Sequence, residues 1–98
     1  MTTPAPDHLY DDAVRLPHGP RLALRRADGG GRPFLLVHGL ASNARLWDGV
    51  ARRLAAAGHE VVAVDLRGHG LSEQVPDGHS TQQAAADLAA LVDLLGLV

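Results

Sequence analysis

Phe34-Leu35-Leu36-Val37-His38-Gly39-Leu40 is the stretch on which the fold turns. Its first four residues form an unbroken apolar run, the pattern of a parallel strand buried on both faces. A polar turn follows, and then Trp47, Val50, Leu54 and Ala57 recur at helical spacing. Ser42 or Asn43 can cap the start of that helix, and Gly58 stands where a left-handed C-terminal cap is wanted. Val61-Val62-Ala63-Val64 is a second buried strand, and Asp65 to Gly78 a long polar loop. From Thr81 to Leu95 another helix carries Ala84, Leu88, Leu91 and Leu95 on one stripe.

Upstream of the deciding stretch the pattern is different. Tyr10 to Leu16 and Arg21 to Ala27 read as two edge strands around the turn Pro17-His18-Gly19-Pro20, wet on one side. Leu22 and Leu24 point inward, and Asp28-Gly29-Gly30-Gly31-Arg32-Pro33 breaks the chain. Residues 1–9, rich in Thr and Pro, read as a flexible tail, leaving 10–98 as one domain. An edge hairpin followed by strand, helix, strand and helix predicts an α/β fold with a mostly parallel sheet.

Composition narrows the function classes. The chain has 98 residues, 46% of them hydrophobic and 20% charged, and a net charge of −2. That size supports one domain with a real core. A near-neutral surface offers no field for nucleic acid or an anionic membrane, so neither is expected as a partner. All nine basic residues are Arg, and there is no Cys, which excludes disulfides and thiolate metal sites. No apolar run approaches the ~20 residues of a membrane span, and the start does not resemble a secretory signal. A cytoplasmic location is the expectation. The six histidines, His8, His18, His38, His59, His69 and His79, include no pair three or four apart on a helix, and there is no H-E-x-x-H, so no metal is expected.

Three local patterns stand in order: the strand ending in His38-Gly39-Leu40, then Trp47, then Asp65-Leu66-Arg67-Gly68-His69-Gly70-Leu71-Ser72 at the end of the next strand. Together they resemble the N-terminal part of an α/β-hydrolase-fold protein, over roughly Leu9 to Val98. Any one piece is weak; the ordered set is specific. The resemblance implies that the Leu40 N–H is one donor of an oxyanion hole, with Gly39 letting the backbone approach substrate closely. From the residues alone, a Gly after a buried strand serves a simple turn equally well. The resemblance also implies structural roles for His38, Trp47, Asp65, Gly68, His69, Gly70 and Ser72. It implies no cofactor, and for the complete protein a small ester-like substrate. Epoxide hydrolases and haloalkane dehalogenases of the family usually carry Pro where this chain has Ala41. That difference favours a serine esterase, thioesterase, peptidase or cofactor-free haloperoxidase-like parent.

Gly78-His79-Ser80 imitates the start of the Gly-x-Ser-x-Gly nucleophile turn, yet the fifth position is Gln82 and no strand precedes it. Ser80-Thr81-Gln82-Gln83 fits a helix-capping box instead. No Gly-x-Ser-x-Gly occurs in the chain, and the family's nucleophile strand would begin after Val98. The expectation is a chain truncated before the nucleophile strand, with half an oxyanion hole, no catalytic residue and no activity alone. Its apolar strand would then be an open sheet edge, inviting self-association. Two other classes compete: an anion- or nucleotide-binding βαβ module, and a non-catalytic interaction protein using the open edge.

Overall fold

The computed structural model describes residues 8–39 and 41–97. Along them run β1 (Tyr10–Arg15), β2 (Arg21–Ala27), β3 (Gly31–Val37), a 3-10 turn (Ala44–Trp47), α1 (Asp48–Ala56), β4 (His59–Val64) and α2 (Thr81–Leu95). The strands form one sheet in the order β1-β2-β4-β3. β4 therefore lies inside it, and Val61 to Val64 are fully buried. Alternation along β4 sorts the core into two layers. Val62 and Val64 pack with Leu22, Leu24 and Leu91, on the face that α2 covers with Leu88 and Leu95. Val61 packs on the other face with Leu9, Ala27 and the α1 residues Ala51 and Ala55.

The sheet is mixed rather than mostly parallel. Only β3 and β4 run parallel, while β1–β2 and β2–β4 are antiparallel. A parallel pair needs a crossover helix, and one such unit, β3-α1-β4, lies between the described strands. β2 is not an edge strand either, since β4 covers its second side. Conversely, among the described residues β3 has β4 as its only neighbour, so Phe34 to Val37 are half-buried instead of buried. β3 also starts earlier than its apolar run. Gly31 pairs with His59, and a register irregularity absorbs Arg32 and Pro33 before Phe34 meets Val61.

Two further expectations need correction. Leu9, assigned to the tail, is buried beside Ala51 and Val61; residues 1–7 of that tail lie outside the described residues. The first helix is also shifted in phase. Trp47 ends the 3-10 turn rather than sitting in a helix, so α1 buries Ala51 and Ala55 and leaves Val50 46% exposed. Gly58 has φ +92°, as a left-handed stop requires. Arg25, on β2, clasps Asp48 at the start of α1 through Nε and Nη2, each at 3.2 Å. Among the described residues no helix is long and apolar enough to cross a membrane.

Tyr10 provides a titration test of the hairpin. Its hydroxyl donates to Asp28 at 2.6 Å. Burial, and that bond to a carboxylate, push its pKa from 10.0 to about 12. The folded state thus holds a proton that the unfolded state loses near pH 10. The stability this gives is complete below pH 10 and disappears as pH rises through about 12. Tyr10 is the only tyrosine, and the chain has no Lys or Cys, so no other side chain of those types titrates in this window. Urea unfolding of the wild type will show a loss of stability across it, and Tyr10→Phe will flatten that limb; identical limbs would exclude Tyr10 as its source.

Candidate functional site: the loops after β3 and β4

Because β3 and β4 are parallel neighbours, the loops leaving their C-terminal ends emerge side by side. In open α/β sheets this is where ligands bind. The first loop runs through His38 and Gly39 to Ala44, and the second from Asp65 to Glu73. Leu40, the expected oxyanion donor, lies outside the described residues. Its neighbours on both sides are placed.

Asp65 joins the two loops. Its carboxylate is buried, with 1% of the residue exposed. Oδ1 accepts the Ala44 N–H at 2.6 Å, and Oδ2 accepts the Leu71 N–H at 2.9 Å. His38, also buried, makes a second link: its Nε2 accepts the Leu66 N–H at 3.0 Å. Its Nδ1 meets the Gly39 carbonyl at 2.6 Å. The His69 ring lies 5.0 Å from that of His38, and its Nδ1 faces the Arg67 carbonyl at 3.0 Å.

The second loop is tied to β2 as well. The Ser72 hydroxyl accepts the Ala23 N–H at 2.8 Å and donates to the Asp65 carbonyl, carrying the β2–β4 ladder past its end. Glu73 continues the bonding: its N–H donates to the Arg21 carbonyl, and its carboxylate accepts the Arg21 N–H. Gly68 and Gly70 hold φ of +74° and +52°. A Cβ on Gly70 would collide with the Asp65 carboxylate, and one on Gly68 with the His79 ring. Both positions exclude side chains by conformation and by space.

Sequence reasoning missed the link to α2. Arg67 makes a bidentate pair with Asp87, Nε–Oδ2 at 2.7 Å and Nη2–Oδ1 at 2.9 Å. Side-chain exposures of 13% and 5% make this a largely buried pair, and it raises Arg67 above the ordinary arginine range. Gln83 adds a third hydrogen bond to Asp87. The acidic residue twenty positions downstream, on the helix side facing the core, was the available signal.

The serines have defined partners. Ser80 caps α2, its hydroxyl accepting the Gln83 N–H at 3.1 Å. The reciprocal half of a capping box is replaced by the Gln83–Asp87 bond. Ser42 directs its N–H to the Gly39 carbonyl at 3.3 Å. Among the described residues no serine hydroxyl bonds a histidine, and no cluster of three or more His, Cys, Asp or Glu could hold a metal ion. Trp47 packs beside the first loop in the 3-10 turn, its indole N–H buried without an acceptor among the described residues. Asn43, Arg45, Gly70 and Leu71 line an open depression of about 380 Å³ between the loops.

Ala41 has φ +60°. An L-residue there costs on the order of 1 kcal/mol, and proline, fixed near φ −65°, is excluded.

The family described as alpha/beta hydrolase fold matches residues 32–98. A non-heme haloperoxidase from Rhodococcus erythropolis is 45% identical over 69 residues, which is 70% of this chain and 25% of that protein. The solved structure of an N-formylmaleamic acid deformylase from Pseudomonas putida S16 is similar at 38% identity and TM-score 0.79, over 87% of this chain and 33% of the other. An epoxide hydrolase from an endophytic Streptomyces is similar at 33% identity and TM-score 0.80, over 91% and 27%. The chain thus spans about a quarter of the haloperoxidase and about a third of the deformylase.

The Asp65 link predicts a stability effect. Asp65→Asn keeps the shape but turns an amide N–H toward a backbone N–H. A buried donor left without its acceptor costs about 1–3 kcal/mol. Urea denaturation should show a loss in that range with hydrogen-exchange protection falling first at Ala44 and Leu71; unchanged stability would mean that the carboxylate does not join the loops.

Proposed function

The chain belongs to the alpha/beta hydrolase fold family, and from that premise we propose that it supplies half of an oxyanion hole and none of a catalytic triad. The observation that carries this reading is the pairing of the loops after β3 and β4. One buried carboxylate and one buried imidazole brace a glycine turn at the end of a parallel strand. Preorganised backbone donors of this kind stabilise the oxyanion that develops as a carbonyl is attacked. Gly39 admits the substrate carbonyl, and the Leu40 N–H meets its oxygen as charge develops. The second donor, the nucleophile, the acid and the catalytic histidine belong to parts of the fold that lie outside the span shared with the relatives. The whole protein attacks an ester, thioester, amide or related carbonyl, with histidine shuttling the proton.

The φ of +60° at Ala41 supports the esterase- and haloperoxidase-like branch over one with proline at this position. Ser80 acts as a cap and not as a nucleophile, since its hydroxyl already satisfies the Gln83 N–H. A cytoplasmic setting fits a small soluble acyl substrate.

A two-part experiment tests the reading. The folded chain, treated with a fluorophosphonate probe and weighed intact, will carry no adduct; one adduct that vanishes in Ser80→Ala would make Ser80 a nucleophile after all. A chimera in which this chain replaces the matching 69-residue stretch of the Rhodococcus erythropolis haloperoxidase will turn over an activated ester. A folded but inert chimera would remove the oxyanion role.

The open edge of β3 favours a second property. Phe34, Leu35, Leu36 and Val37 are half-buried beside a ladder that no other strand covers among the described residues, and the edge carries Arg32 and Pro33 at its start. Free strand edges pair with one another. Light scattering behind size exclusion will show mass rising with concentration, and an Arg placed at Leu35 will reduce it; a monomer at every concentration would reject edge pairing.

A further inference from the structure

Three aspartates are followed directly by glycine: Asp28-Gly29, Asp48-Gly49 and Asp77-Gly78. This dipeptide can react with itself. The glycine nitrogen attacks the carboxyl carbon of the aspartate, a C–N bond closes a five-membered imide ring, and the carboxyl oxygen leaves as water. Glycine favours the step because no Cβ crowds the approach. Water then opens the ring at either carbonyl. Breaking the bond to the side-chain carbonyl restores aspartate. Breaking the bond to the main-chain carbonyl leaves isoaspartate, whose backbone runs through the former side chain and is longer by one methylene. The water released is the water returned, and nothing is oxidised or reduced.

The fold treats the three sites differently. The Asp28 carboxylate accepts the Tyr10 hydroxyl at 2.6 Å. Gly29 beside it lies so close to the next chain that a Cβ would come within 2.6 Å of the Gly58 and His59 carbonyl oxygens. Asp48 has both oxygens on Arg25 at 3.2 Å, and its φ of −53° and ψ of −42° are helical. Closing a ring there would break the clasp and the start of α1. Asp77 is exposed, in a bend outside any helix or strand. Among the described residues no donor holds its carboxylate, and Arg67 directs Nε and Nη2 to Asp87 instead. The backbone bonds of the second loop stop at Glu73 and resume at Ser80. Between them one side chain closes the turn, His79 Nε2 donating to the Val75 carbonyl at 2.9 Å. A segment so sparsely bonded opens locally at little cost.

We propose that Asp77-Gly78 is a site of spontaneous covalent modification, converting through the cyclic imide to isoaspartate while Asp28 and Asp48 are protected. The proposal is independent of the oxyanion reading. Its consequence follows from what Gly78 touches. Gly78 has φ +77°, and a Cβ there would collide with the Arg67 guanidinium and press on the Gln83 side chain. Arg67 and Gln83 are the two residues that hold Asp87. An extra methylene just before Gly78 pushes the chain against both and displaces Ser80, the cap of α2, two residues further on. Isomerisation therefore loosens the joint between the second loop and α2.

The test ages the full chain at neutral pH, in buffer and in urea. Electron-transfer fragmentation of its peptides then separates isoaspartate from aspartate at each position. The ratio of the rate in urea to the rate in buffer measures protection by the fold. It should be near one at residue 77 and roughly tenfold or more at residues 28 and 48, whose carboxyl groups must first leave their partners. Equal ratios at all three positions overturn the proposal, as does a residue 77 that converts in urea and not in buffer. Asp77→Glu keeps the charge and would need a six-membered ring, so it controls for the consequence. Amide exchange from Ala84 to Leu88 should quicken in the aged wild type in step with its isoaspartate, and should not change as Asp77→Glu ages. Unchanged exchange in a wild type rich in isoaspartate would overturn the loosening.

Discussion

The Asp65 carboxylate accepts a backbone N–H from each of the two loops that leave the parallel strands, and the upper rim of the sheet depends on that pair of hydrogen bonds. The demand for it comes from topology. Where β3 and β4 end together, each chain turns away from the ladder and its next N–H groups lose their strand partners. A carboxylate accepts at both oxygens and donates nothing, so one side chain can satisfy donors on either side of it. Burying the charge is costly, and charge-assisted bonds to the Ala44 and Leu71 N–H offset that cost. The same placement explains a glycine. The carboxylate occupies the space a Cβ on Gly70 would need, so the loop can close over Asp65 only without a side chain there.

From this centre the second loop reaches three elements. Asp65 leads to the start of the 3-10 turn, Ser72 and Glu73 lead to β2, and Arg67 leads to α2. A loop of this length is usually a mobile surface feature. Here side chain–backbone bonds replace the sheet ladder as it runs out, and a largely buried ion pair ties the loop to a fifteen-residue helix. The two helices cover opposite faces of the sheet, so the loop connects both layers of the core at one end. The proposed oxyanion role would need this rigidity, because a donor that must first reorganise loses much of its advantage.

Signals confined to a few neighbouring residues were legible in the sequence. The hairpin, the apolar strands, the bounds of α2 and the Ser80 cap each follow from local patterns. The ordered motifs identified the family and pointed to the loops after β3 and β4. What escaped depends on partners distant in sequence. Alternation along β2 cannot reveal whether its second side is covered, and the apolar run of β3 looks the same at an edge as in the interior. Arg67 and Asp87 stand twenty residues apart with no local signal that links them, and only the fold brings them together. The phase of α1 was lost for a local reason. Trp47 belongs to the 3-10 turn and not to α1, so a stripe counted from it does not fix which face of α1 is buried.

The strain at Ala41 follows from the same closure. Between Gly39 and Ala44 the chain must bring the Ser42 N–H back to the Gly39 carbonyl and then deliver the Ala44 N–H to Asp65. Both ends are held, one by His38 and the other by the carboxylate, and the turn between them takes a left-handed residue. A non-glycine residue stays in that region only when its surroundings over-determine it. Glycine at 41 would relieve the Cβ contact but add freedom to the unfolded chain, and the two effects are of similar size, roughly 1 kcal/mol each. Alanine therefore loses little stability while making the loop stiffer than glycine would. Proline would need a different path between the same two anchors. The choice at this position thus separates two geometries of the loop: one runs through a left-handed turn braced by His38 and Asp65, and the other must be shaped by the proline ring itself.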